Sequence, residues 1–204
     1  MRRARRTRAV RRGKDVYLPS WQELCTAMPN ALLRSALWSV KATRYEQDGA
    51  TGKDALVQGP GDGVFVSVQG DATLINRGPT LGAYDRRVFA ACLDYYRDDR
   101  PLNGGEDATW IEESFFKFIE GLGSKYHPDG HRALRASLER LSAMSLHVRV
   151  KGLEVQLPRI LEVSFADGDA RNEAPQSSDR IYFRVLAPFA QLYEAARVLR
   201  RLQL

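Results

Sequence analysis

The residues best able to do chemistry in this chain are arginines, and their placement is uneven. Arg2, Arg3, Arg5, Arg6, Arg8, Arg11, Arg12 and Lys14 crowd the first fourteen positions with no acid among them. The remaining 23 bases face 25 acids, so the formal charge of +6 originates in that short stretch. Clustered cations of this kind bind polyanions, because phosphates release counterions when neutralised. Residues 1–14 are therefore expected to be a disordered basic arm, too charged and too poor in apolar groups to pack alone. Nucleic acid is the expected partner ahead of an anionic membrane surface, with a plain solubility tail as the alternative. A second set lies in HRALRASLERLSAMSLHVRVKG: His131, Arg132, Arg135, Arg149 and Lys151. These side chains suit contact with phosphates and base edges.

Other chemistries fail on spacing. His127 and His131 are four apart, but Pro128 and Gly130 intervene, so no helix presents them as a metal pair. The segment GATGKD puts glycine at 49 where a phosphate loop needs it at 47, and Asp54 stands where a hydroxyl is required. DGDARNE, 167–173, has Arg171 and a misplaced Gly168 where a calcium loop needs ligands and a later turn. Glu112 and Glu113 sit at a helix start, where the macrodipole accounts for them. Cys25 and Cys92 each fall in a helical apolar pattern and read as buried free thiols in a reducing compartment. The expectation is a protein that is not an enzyme, with no cofactor and no metal site. No apolar run approaches the ~20 residues of a membrane span, and no secretory signal opens the chain.

Elements of recognisable periodicity must position the second set. Leu134, Leu138 and Leu141 recur at i, i+4 and i+7, one face of a helix, with Arg132, Arg135, Ala136 and Glu139 opposite. Asp129-Gly130 supplies its start. Leu146, Val148 and Val150 then alternate with His147, Arg149 and Lys151. Lys151-Gly152 is a turn, and Leu153, Val155 and Leu157 alternate again. A preceding helix, with Phe115, Phe116 and Ile119 inward, is closed by Gly121 or Gly123. Two helices around a short turn, then a hairpin, is the order of a winged helix.

Upstream, Trp21, Leu24, Cys25 and Met28 mark a short helix broken at Pro29-Asn30, and Leu33, Ala36 and Leu37 mark a second. Residues 39–63 are loop-rich, with a short strand at Ala55–Val57. Val64, Val66 and Val68 mark a strand, and Ala72–Ile75 a weaker one stopped by Asn76. Leu81–Tyr96 is a helix with Val88, Phe89, Cys92, Leu93 and Tyr96 inward. Downstream come strands at Ile160–Phe165 and Ile181–Val185, around a polar loop at 167–179. A terminal helix starts at Pro188, with Leu192, Ala195, Ala196 and Leu199 on one face and Arg197, Arg200 and Arg201 near its end. The fold class is α+β, a winged helix over residues 15–204 with extra N-terminal helices.

The stretch YLPSWQELCTAMPNALLRSALW resembles the opening of the TrfA family of plasmid replication initiators. The shared pattern is Tyr17, Leu18, Pro19 and Trp21, then Pro29, Asn30, Leu33, Arg34, Ser35, Ala36 and Leu37. SFFKFIEGLG, LRASLERLSAMSLHV, RILEVSFADG and IYFRVLAPFAQLY continue it more weakly, so it covers roughly residues 15–193. The resemblance implies a bacterial cytoplasmic protein that binds repeated iteron sites in a plasmid origin. It also implies recruitment of the host initiator and replicative helicase, and a dimer–monomer switch. The family has two tandem winged helices, and this sequence matches the first. That leaves a single-domain repressor or copy-control protein, or a dimerisation module without specific DNA affinity, as alternatives.

Overall fold

A computed structural model describes residues 8–21, 28–29, 32–33, 36–38, 44–47, 54–57, 63–69, 72–97, 100–103, 110–150, 153–166 and 174–193. Among them, three antiparallel sheets surround three α-helices, a mixed α+β architecture. Strands β1 (Val10–Arg12), β2 (Asp15–Tyr17) and β7 (Leu102–Asn103) form the first sheet, in the order β1-β2-β7. The second has six strands: β3 (Arg44–Gln47), β4 (Asp54–Val57), β5 (Gly63–Gln69), β6 (Ala72–Gly78), β9 (Ser145–Val150) and β10 (Leu153–Leu157), in the order β10-β9-β6-β5-β3-β4. The third joins β11 (Glu162–Ala166), β12 (Arg180–Arg184) and β8 (Ile111–Ser114), in the order β11-β12-β8. The helices are α1 (Ala83–Asp94), α2 (Phe115–Gly121) and α3 (Pro128–Ala143).

Two neighbouring strands of the six-stranded sheet are far apart in sequence. β6 pairs with β9 from Thr73↔Arg149 to Arg77↔Ser145, which welds the hairpin after α3 to the earlier half of the chain. The expected wing is thus one edge of a broad sheet, not a free ribbon. Gly78 ends β6 at φ +129, and a Cβ there would stand 2.9 Å from the Ala143 carbonyl. Only glycine suits both that backbone and the close pass of α3.

The core draws side chains from all three sheets and all three helices. Val88, Phe89, Cys92, Leu93 and Tyr96 are buried, as the helical spacing requires. Phe89 stacks on Trp38 and meets Phe189 edge-on, tying α1 to both ends of the described chain. The Trp21 indole N–H donates to Asp94 at 2.9 Å, and the Trp38 indole to the Leu32 carbonyl at 2.9 Å. Leu18, Leu32 and Leu37 are buried as well. So the described residues between 17 and 38 are mostly buried or half-buried, with Leu33 exposed. Cys92 is a free, fully buried thiol, and burial pushes its pKa up, which keeps it protonated and inert.

Several expectations need correction. The boundary drawn at Lys14 cuts through a hairpin: Val10 pairs with Tyr17, Arg11 with Val16 and Arg12 with Asp15. Residues 10–14 are therefore part of the fold, while residues 1–7 lie outside the described set. Asn76 does not stop its strand; it is buried in the β6 ladder, paired with Phe65 and Leu146. Phe116 is exposed, and Phe118 takes the inward position with Phe115 and Ile119. The N-cap of α3 lies two residues before Asp129, at His127, whose Nδ1 accepts from the Asp129 N–H at 3.2 Å, with Pro128 in the first turn. The region read as loop-rich contains β3. The helix from Pro188 opens as a 3-10 turn, Ala187–Ala190, and its residues from 194 onward lie outside the described set.

Candidate nucleic-acid interface

α2 and α3 are joined by residues 122–127. Ser114 caps α2 by accepting from the Lys117 N–H at 3.2 Å. Gly123, at φ +73, closes it, with the Ser124 N–H reaching the Ile119 carbonyl at 3.2 Å and the Gly123 N–H reaching Glu120 at 2.7 Å. The chain then enters α3, and β9 begins two residues after α3 ends. Val150 pairs with Leu153 across the connection that holds Lys151, itself outside the described residues. Helix, turn, longer helix and hairpin are therefore all present in the order the spacing indicates.

α3 is fixed by a mainly apolar stripe with polar pins. Leu134, Leu138 and Leu141 are fully buried. Ser137, one turn from Leu141, donates to Asp85 at 2.7 Å, and Arg140 reaches the same carboxylate oxygen at 2.7 Å through Nη2 and 3.2 Å through Nε. The other Asp85 oxygen accepts from the Gly82 N–H at 2.7 Å, which closes the first turn of α1. One buried carboxylate thus caps one helix and pins another. Periodicity does not reveal this junction. Its one sequence signal is an acid three residues after Gly82, at a helix start.

Sequence position groups His131 with the phosphate-contacting cations, and the structure moves it to the core. It is 3% exposed, stacked face to face on Phe115 with centroids 3.5 Å apart. Its Nδ1 faces the Tyr126 hydroxyl at 3.3 Å and its Nε2 faces Asp179 at 3.8 Å. Burial lowers its pKa, Asp179 opposes that, and Arg135 and Arg132 reinforce it. A neutral ring in this slot locks α3 against α2 and the 174–179 segment, and it has no route to a phosphate.

The remaining interface cations are displayed but compensated. Arg132 is 63% exposed and bonds Asp129 at 2.7 Å, one turn back. Arg135 lies half-buried on the flank of α3. Its Nε bonds Glu139 at 3.1 Å and its guanidinium covers the Phe165 ring at 4.4 Å. On the hairpin, Arg149 is 61% exposed and shares Glu154 with His147, at 3.3 and 2.6 Å. The His147 and Arg149 hydrogen bonds hold the Glu154 pKa below the usual carboxylate range. The outward stripe of α3 is otherwise small: Ala133 and Ala143 are exposed and Ala136 is half-buried. Such a face lets a helix approach closely while its arginines reach past it.

The N-terminal cations behave differently. Arg8, Arg11, Arg12 and Lys14 are all exposed, and among the described residues none has an acid partner. Arg12 lies over the Tyr17 ring at 5.3 Å. Arg2, Arg3, Arg5 and Arg6 lie outside the described residues. Among the described residues, no group of three or more His, Cys, Asp or Glu could hold a metal ion, and no helix is long and apolar enough to cross a membrane.

No family model matches the chain, and no curated protein matches it. Among solved structures, it is similar to domains 2 and 3 of RctB, solved as a selenomethionine derivative, with 13% identity and a TM-score of 0.37. The match covers 65% of this chain and 52% of that one, about half the length of the structure it resembles.

Proposed function

We propose that this chain is a duplex-DNA-binding protein of the plasmid replication-initiator type, with α2 and α3 acting as a helix-turn-helix and β9–β10 as its wing. The observation that carries the reading is the setting of α3. Its apolar stripe is wholly buried, its outward stripe is small and arginine-flanked, and a hairpin follows at once. In a winged helix the second helix enters the major groove, and its exposed side chains meet base edges. Arg132 and Arg149 are the exposed, described residues suited to that role; Lys151, expected from the sequence to join them, lies outside the described residues. On this reading the chain binds and does not catalyse. It acts on repeated sites of a plasmid origin in the bacterial cytoplasm, alone or as a homodimer, and the host initiator and replicative helicase are the partners it would engage. The resemblance of residues 17–37 to TrfA-type initiators supports the origin as target.

The acid pairing of its arginines favours a second reading, in which α3 packs on a protein partner and the chain is a dimerisation module. A mobility-shift titration with tandem origin repeats against random duplex, with solution mass measured in parallel, separates the two. Repeat-specific retardation that Arg132→Ala weakens supports the DNA reading. A stable dimer without DNA preference overturns it.

A further inference from the structure

We infer that the β1–β2 hairpin is an ordered basic ribbon that grips the phosphate backbone of duplex DNA, a second binding element beside α3. The inference rests on the DNA-binding reading and adds where affinity resides. Three observations carry it. First, the hairpin is anchored. β1 pairs with β2 over three residues, and β2 pairs with β7 through Asp15↔Asn103 and Val16↔Leu102. Val16, Leu18 and Leu102 are buried beneath it. The cost of ordering the backbone has therefore been met by folding, and binding does not incur it again.

Second, its charge is available. Arg8, Arg11, Arg12 and Lys14 are exposed and without acid partners among the described residues, whereas Arg132, Arg135, Arg140 and Arg149 each bond an acid. A phosphate that meets α3 approaches arginines whose charge is already offset by carboxylates; one that meets the hairpin displaces only water and counterions. The Tyr17 ring under Arg12 supports its guanidinium without neutralising it.

Third, the tip is shaped to approach. Arg12↔Asp15 leaves Gly13 and Lys14 as a two-residue turn, and Gly13 sits at φ +62, the left-handed conformation such turns demand. A Cβ at Gly13 would meet nothing within 4 Å, so the tip stands clear of the domain. A two-stranded ribbon is narrow enough to lie in a major groove about 12 Å wide or along its phosphate wall. β1 is also the sheet's edge strand: Arg12 shares the outer face with Asp15 and Tyr17, Arg11 shares the other face with the buried Val16, and both arginines are exposed along that edge.

The test uses the full chain, a fluorescent random duplex and vesicles containing phosphatidylserine, each titrated across salt. Neutralising the ribbon with Arg11→Gln, Arg12→Gln and Lys14→Gln should flatten the salt slope by about 0.9 for each phosphate that is no longer neutralised, so by roughly 2 to 3. Gly13→Val keeps every charge but strains the turn. It should weaken duplex binding about five- to thirtyfold, the equivalent of the ~1–2 kcal/mol that a β-carbon costs in the left-handed region. Thermal melts check that both variants stay folded. Wild-type binding with an unchanged slope in the triple variant overturns the ribbon and leaves the α3 reading intact. A neutral Gly13→Val beside an impaired triple variant also overturns it, since charge alone, without the turn, then suffices. No duplex binding by the wild type at low salt overturns the DNA reading and the ribbon together. Vesicle binding without duplex binding overturns both as well and assigns the cations to a membrane surface instead.

Discussion

Helix α3 and the β1–β2 hairpin each display cations, and they hold them in opposite ways. On α3, Arg132 is bound by Asp129, Arg135 by Glu139 and Arg140 by Asp85. On the hairpin, Arg11, Arg12 and Lys14 have no acid partner among the described residues. The backgrounds differ too. α3 is rooted in the core by Leu134, Leu138 and Leu141, while the hairpin ends in an open turn at the edge of its sheet. Compensated charge on a rigid helix gives orientation and selectivity with little general attraction. Free charge on a ribbon gives attraction with little sequence information, because phosphates are alike along a duplex. On the proposed reading, the molecule separates reading from holding.

Mutations should expose this division most sharply in stability. Leu138 is fully buried in the stripe that roots α3, so Leu138→Ala is expected to cost about 2–5 kcal/mol by chemical denaturation. A cost below about 1 kcal/mol would show that α3 is not rooted as described. Asp85→Ala removes the shared acceptor of Ser137, Arg140 and the Gly82 N–H. Breaking a fully buried ion pair costs ~3–5 kcal/mol, and because Arg140 is over a third exposed, about 2 kcal/mol is expected after allowing for solvent screening. If Asp85→Ala and Arg140→Ala prove additive in a double-mutant cycle, the junction does not couple α1 to α3.

The buried imidazole gives a smaller, pH-dependent effect. Burial lowers the pKa of His131, so as pH falls the unfolded chain takes up its proton before the folded one does. Stability from the neutral ring is complete above the ordinary histidine value of about 6.5, and it drains away as pH falls below that value. His131→Phe keeps a ring on Phe115 and removes the titration, so its melting temperature should drop less between about pH 7 and pH 5 than that of the wild type. Identical acid limbs would place the sensitivity in other groups.

The smallest effect bears most directly on compensation. Glu139→Gln removes the carboxylate that Arg135 bonds and, on the proposed reading, a negative charge from the side that meets DNA. An exposed pair of this kind is worth a few tenths of a kcal/mol, so affinity for random duplex should rise only about twofold. Arg132→Ala should leave stability within ~0.5 kcal/mol. A fall in random-duplex affinity for Glu139→Gln would mean that the acid positions Arg135 and does not mask it.

Periodicity makes α1, α2, α3 and the β9–β10 strands legible because each has one face in the core. Leu134, Leu138 and Leu141, or Val148 opposite Val155, leave few other arrangements. The same reasoning picks Phe116 over Phe118 in a phenylalanine-rich run, although i+3 spacing from Phe115 favours Phe118. It ends β6 at Asn76 because a buried amide inside a ladder has no periodic signature. Composition hides the hairpin: eight cations in fourteen residues read as an arm, and Gly13-Lys14 flanked by Val10 and Val16 is the turn signal beneath them. His131 is misplaced for a related reason, since an imidazole one residue from an arginine looks like part of a basic face. The partners that bury it, Tyr126 and Asp179, are a turn and a sheet away.

The pairing of β6 with β9 also sets an order of events at the ribosome. Arg77 and Ser145 meet across 68 residues of chain. At about 5–20 residues per second, β6 waits roughly 3 to 14 s for β9 to be made. Until then one edge of the β5–β6 hairpin carries unpaired N–H and C=O groups, the template on which foreign strands add. Its Arg77 side chain, exposed on that edge, is the gatekeeper charge available in the interval. The hairpin that completes the proposed wing is thus the same piece of chain that covers the open edge of the nascent β5–β6 hairpin.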